Sequence, residues 1–91
     1  MDRDKIVKII KAVISKNNIK KAYLFGSFAR EEKKYHDVDI AIEPPIGFTL
    51  LDLSRVANMI EEQAGIQVDL VTLRSINPKI KGAIEKEMVA L

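Results

Sequence analysis

Two aspartates stand one residue apart in Asp37-Val38-Asp39, inside a run where Val38, Ile40 and Ile42 alternate with them. On an extended strand, residues i and i+2 project from the same face, about 6.5–7 Å apart at the backbone. Two carboxylates so placed repel each other, and one pKa rises unless a cation lies between them. A hard divalent ion with oxygen ligands, Mg2+ first, answers that need. Asp69 lies in a second alternating run. There Ile66, Val68 and Leu70 take one parity, and Gln67, Asp69 and Val71 the other. If the two runs are neighbouring strands, Asp69 is a third carboxylate beside the pair. Three carboxylates on a rigid sheet can hold two metal ions roughly 3.5–4 Å apart, the arrangement of in-line phosphoryl and nucleotidyl transfer. Spacing alone leaves open a plainer reading, in which all three are solvated strand acids.

Upstream, Ala22-Tyr23-Leu24-Phe25 is an apolar run broken by Gly26-Ser27. Glycine lets the backbone turn sharply and approach a ligand closely. Ser27 at a helix start would sit where free N–H groups favour an anion. Arg30, one turn later, can offer a forked cation to phosphate oxygens. The plainer reading is a strand, a Gly-Ser turn, a helix cap and a surface arginine. The nearby aspartates favour the richer one, because a phosphate turn and a metal clamp facing one cleft suit an NTP–Mg2+ complex.

The elements that must position these groups follow from periodicity. Ile6, Ile9, Ile10 and Val13, widened by Val7 and Ile14, predict a helix over residues 3–17. Its broad apolar face suits either the core or a second chain. Residues 19–25 predict a strand buried on both faces, and 27–30 a short helix. Residues 37–43 predict a second strand, ended by Pro44-Pro45-Ile46-Gly47. Thr49 with Asp52 resembles a helix N-cap pair, and Gly65 suits the C-terminal cap of that helix. Residues 66–72 predict a third strand. Asn77-Pro78 starts a last helix whose stripe is Ile80, Ala83, Ile84, Met88 and Leu91. The expected fold is α/β: one domain over residues 1–91, with a small three-stranded sheet flanked by helices.

Composition narrows the function classes. A net charge of +2 is too weak to indicate nucleic acid as a partner. Lys5, Lys8, Lys11, Lys16, Lys20 and Lys21 read as a solvated face. There is no cysteine, which excludes a disulfide framework or thiolate metal site and fits the cytoplasm. No apolar run is long enough to span a bilayer, and none reads as a signal peptide.

Phe25-Gly26-Ser27-Phe28-Ala29-Arg30, then Asp37-Val38-Asp39, then Asp69-Leu70-Val71 closely resembles the minimal nucleotidyltransferase (MNT) group of the DNA polymerase β-like nucleotidyltransferase superfamily. That group's pattern is G-S-x-A-R-G, a gap, S-D-x-D, and a third acid on a later strand. The resemblance covers about residues 19–91. It implies a mixed sheet of the polymerase β-like palm type. It implies that Asp37 and Asp39 hold two Mg2+ ions, that Asp69 shares one and helps activate the attacking hydroxyl, and that Gly26 and Ser27 hold the β- and γ-phosphates of an NTP. Arg30 is placed near the phosphates or as a support of the loop.

Two residues depart from the pattern. Glu31 stands where the group usually has glycine, which adds a negative charge near the phosphates and implies a different turn. His36 stands where serine precedes the first aspartate, and reads either as a hydrogen-bond partner behind the acids or, in preference, as an exposed loop residue. Neither removes a metal ligand, so the site reads as competent. The group is commonly paired with a HEPN-domain toxin, which implies transfer of AMP from ATP to a tyrosine of that toxin. The wide apolar face of the first helix would suit such a partner, and would equally suit a homodimer. Two alternatives remain: an antitoxin that acts by complex formation alone, and a transferase acting on a small molecule or an RNA end.

Overall fold

The computed structural model describes residues 2–35 and 37–91. The role expected of His36 therefore lies outside the described residues. Helix α1 spans Arg3–Lys16, and the Asp2 carboxylate caps it by accepting the Lys5 N–H at 2.9 Å. Strand β1 is Lys21–Phe25, and the single turn α2 is Gly26–Ala29. Strand β2 is Asp37–Glu43, helix α3 Leu50–Ala64 and strand β3 Gln67–Thr72. A 3-10 turn at Leu73–Ser75 leads into helix α4, Pro78–Glu87, and then strand β4, Val89–Ala90.

The sheet is mixed, in the order β3-β2-β1-β4. Strands β1 and β2 pair antiparallel, β2 and β3 parallel. One face carries Ala22, Leu24, Val38, Ile40, Ile42, Val68 and Leu70. It is covered by Ile6, Ile10, Val13 and Ile14 of α1 and by Val56, Ile60 and Ala64 of α3. Strands β2 and β3 thus bury the parity their apolar alternation prescribes, and Ala41 of β2 is buried on the other face as well. Val7 and Ile9 pack against the same cluster. The broad face of α1 is therefore used within the chain. The exposed large apolar residues lie elsewhere, at Ile46, Leu50, Leu51, Ile80 and Val89.

Caps fix α3 at both ends. The Thr49 hydroxyl accepts the Asp52 N–H at 3.2 Å, and the Asp52 carboxylate accepts the Thr49 N–H at 2.8 Å. Gly65 ends the helix at φ +67°. The Glu61 carboxylate then accepts the Val68 N–H at 2.9 Å, tying α3 to the start of β3. Thr49→Ala is expected to cost about 1 kcal/mol of stability, read from urea unfolding, since it removes one arm of the reciprocal cap.

Two expectations are corrected. Strand β1 is not buried on both faces: Ala22 and Leu24 are buried, whereas Tyr23 and Phe25 are only half-buried, because they share the face that carries the aspartates. The last helix does not run to Leu91. It stops at Glu87, Met88 turns extended at ψ 136°, and Val89–Ala90 pairs antiparallel with β1 as a fourth strand. The Leu91 N–H donates to the Ala22 carbonyl at 2.9 Å. A bare β1 edge would leave a row of backbone groups unpaired, and the last residues satisfy it. No residue of α4 is buried, and Ile80 stays exposed.

Candidate active site

Gly26 is the hinge between strand β1 and the single turn α2. Its φ is +73°, a region that L side chains rarely adopt. Its missing side chain has a second consequence. A Cβ at this position would overlap Asp39 Oδ2 and lie 3.2 Å from Asp39 Cγ. The backbone of the turn therefore rests directly against the second aspartate. Ser27 follows in the first turn of α2, half-buried.

Strand register assembles the three acids. Phe25 pairs with Asp39 across the antiparallel ladder. Asp39 pairs with Asp69 across the parallel ladder, and Asp37 with Gln67. Paired residues share a sheet face, so Asp37, Asp39 and Asp69 stand together on one face, level with the end of β1. Burial first, then Asp37, then Asp69, pushes the Asp39 carboxyl up from 3.8 to about 6; the charge of Arg30 opposes this more weakly. Among the described residues, no three acidic or histidine side chains are drawn close enough to enclose one ion. The aspartates share a field rather than a closed cage, and Asp69 is open to solvent. Their donor set is oxygen-only and rich in negative charge, which fits a hard divalent cation such as Mg2+.

Arg30 does not lean over the acids. Its Nε meets Glu32 Oε2 at 2.6 Å, and its terminal nitrogen donates to both Glu87 oxygens, at 3.0 and 3.2 Å. Glu87 is the last residue of α4, so Arg30 braces the end of the Gly26-Ser27 turn against that helix. Fifty-seven residues separate the pair, and no local spacing announces it.

Glu31 adopts φ +60°. That is the left-handed region where the resembling pattern places glycine, and a side chain there costs roughly 1–2 kcal/mol. Glu31→Gly is expected to stabilise the fold by about 0.5 kcal/mol, because glycine's extra chain entropy offsets part of the relief. Thermal unfolding of the two proteins side by side measures it.

Sequence reasoning missed one cluster beside the turn. The Arg3 guanidinium lies 4.3 Å over the Phe28 ring, and Tyr35 meets the same ring edge-on at 4.9 Å. Arg3 sits outside every motif, and no periodicity marks it.

The chain matches the family model described as a nucleotidyltransferase domain over residues 6–91. A relative from Methanocaldococcus jannaschii, named "Putative protein adenylyltransferase MJ0435", is 40% identical over 90 residues, covering 98% of this chain and 97% of its own. A solved structure described as a "putative minimal nucleotidyltransferase" superposes with a TM-score of 0.85 at 29% identity, covering 100% of this chain and 97% of that one. A second solved structure is a tri-AMPylated Shewanella oneidensis HEPN toxin in complex with MNT antitoxin. It matches with a TM-score of 0.64 at 26% identity, covering 97% of this chain and 66% of that one. With a model match over nearly its whole length and a full-length relative at this identity, the chain belongs to the nucleotidyltransferase-domain family.

Proposed function

We propose that this protein transfers AMP from ATP to a hydroxyl of a protein partner, as the antitoxin that AMPylates a HEPN-domain toxin. The observation that carries the reading is the convergence of Asp37, Asp39 and Asp69 on one sheet face, with the Gly26 backbone against Asp39. Family membership supports nucleotidyl transfer as the chemistry. The adenylyltransferase name of the archaeal relative supports AMP and a protein acceptor. The similarity to an antitoxin solved with its AMPylated HEPN toxin supports the partner.

In this reading Asp37, Asp39 and Asp69 would hold the Mg2+ that accompanies the nucleotide. When bound, Mg2+ neutralises the phosphates and the charge that develops in the transition state. Gly26 lets the backbone approach the β- and γ-phosphates, and Ser27 offers them its hydroxyl. The acceptor oxygen forms a bond to the α-phosphorus as the bond from that phosphorus to the pyrophosphate oxygen breaks. Pyrophosphate leaves with the electron pair, and Asp69 helps draw off the acceptor's proton. Arg30 supports the turn from outside through Glu32 and Glu87. A cytoplasmic site of action suits a chain without cysteine; no helix among the described residues is long and apolar enough to cross a membrane.

Calorimetric titration with ATP tests the binding half of the proposal. ATP binds in the presence of Mg2+ and loses at least tenfold in affinity, about 1.4 kcal/mol, when EDTA replaces the metal. Equal affinity in both conditions contradicts the metal role of the aspartates.

A further inference from the structure

The single turn α2 cannot hold its own shape. It has four residues, its N-cap Phe25 makes no side-chain cap bond, and Glu31 just beyond it is strained. An isolated turn of this length gains too few hydrogen bonds to offset the chain entropy that it loses. Something outside it must fix where the Gly26 and Ser27 backbone points.

The Phe28 ring is that anchor, and two side chains hold it. The Arg3 guanidinium covers its face at 4.3 Å, and the Tyr35 ring meets it at 4.9 Å with the planes at 88°. Both are favourable arrangements for a ring whose face is negative and edge positive. Arg3 also donates to the Phe28 carbonyl and pairs with Glu31 Oε1 at 3.6 Å. One arginine thus touches the ring, the backbone and the strained exit of the same turn. The three partners come from three segments: the first residue of α1, the turn itself, and the chain two residues before Asp37. The stack therefore spans the two halves of the site, the turn and the aspartate strand.

We propose that Arg3, stacked on the Phe28 ring that Tyr35 also contacts, is a positioning residue that holds the Gly26-Ser27 turn in register with the aspartate strand for the phosphates of the nucleotide. The inference rests on the nucleotidyl-transfer reading above. A merely structural arginine would pack its stem over the ring, and an apolar side chain of similar length would replace it. A positioning arginine is not replaced so, because its fork also fixes the carbonyl of the turn and Glu31.

The test measures Mg·ATP affinity by calorimetry and thermal midpoints for wild type, Arg3→Met, Arg3→Lys, Tyr35→Leu and Tyr35→Phe. Arg3→Met is expected to weaken Mg·ATP about tenfold with the midpoint changed by only a few degrees. Arg3→Lys keeps the charge without the planar fork and is expected to weaken it nearly as much. Tyr35→Leu weakens it in the same direction, while Tyr35→Phe, which keeps the ring, binds as wild type does. Unchanged affinity in Arg3→Met overturns the proposal, whatever happens to the midpoint. Full restoration by Arg3→Lys also overturns it, since charge alone would then suffice. Wild-type protein that binds no Mg·ATP brings down the functional reading, and this inference with it; normal wild-type binding with a silent Arg3→Met brings down the inference alone.

Discussion

Asp39→Asn is expected to lower AMP transfer by about 1000-fold or more, the several kcal/mol that a metal-held charge supplies at the transition state. The same substitution is expected to make the metal-free fold more stable. Asp39 sits where burial and two neighbouring aspartates push its carboxyl up to about 6 from 3.8. Across that window the folded protein keeps a proton that the unfolded chain has released. Stability contributed by this group is therefore full below pH 3.8, falls as pH rises toward 6, and stays low above it. A tenfold change in proton affinity is worth about 1.4 kcal/mol. Asp39 is half exposed, however, and solvent screens it, so a gain of about 1 kcal/mol for Asp39→Asn at pH 7 is the reasonable size. Urea unfolding of both proteins in chelator at pH 4 and pH 7 measures the gain. The two proteins should converge at pH 4 and separate at pH 7. A residue that costs stability and is required for transfer is the trade expected of a functional site.

Gly26→Ala is the second large effect. The new Cβ would overlap Asp39 Oδ2 at a φ of +73°, so both the backbone and the carboxylate must shift. The backbone term alone costs roughly 1–2 kcal/mol. The carboxylate can swing away, which limits the stability loss to about 2 kcal/mol but moves the carboxylate proposed to hold metal by about an ångström. A displacement of that size lowers transfer by about 100-fold. Gly47→Ala is the matched control. Gly47 also has positive φ, +85°, yet nothing lies within 4 Å of its would-be Cβ. It should lose stability through the backbone term alone and keep full transfer. Circular dichroism establishes that both variants fold, and initial rates with Mg·ATP separate them.

Local chemistry made part of this molecule legible in the sequence. The two alternating runs set which parity of β2 and β3 is buried, so the common face of Asp37 and Asp39 could be read from the chain alone, while Asp69 joins it only through the pairing of β2 with β3. The Thr49-Asp52 pair and Gly65 mark the ends of α3 because caps are read from neighbouring residues. What escaped depends on distant partners. Val89 and Ala90 carry no strand pattern of their own and become β4 only by completing the edge of β1. The brace from Arg30 to Glu87 and the stack of Arg3 on Phe28 join residues far apart in the chain, where spacing carries no information. The apolar face of α1 was ambiguous for a different reason. Periodicity says that a stripe is buried, and not whether its own chain or another buries it.

Whether these aspartates move AMP onto a protein is read most directly from the intact mass of a HEPN-domain partner after incubation with this protein, ATP and Mg2+. One or more increments of AMP on the partner, absent with Asp37→Asn and with EDTA, is the predicted result. A stable complex whose partner keeps its unmodified mass would contradict catalysis as the mode of action and leave complex formation in its place.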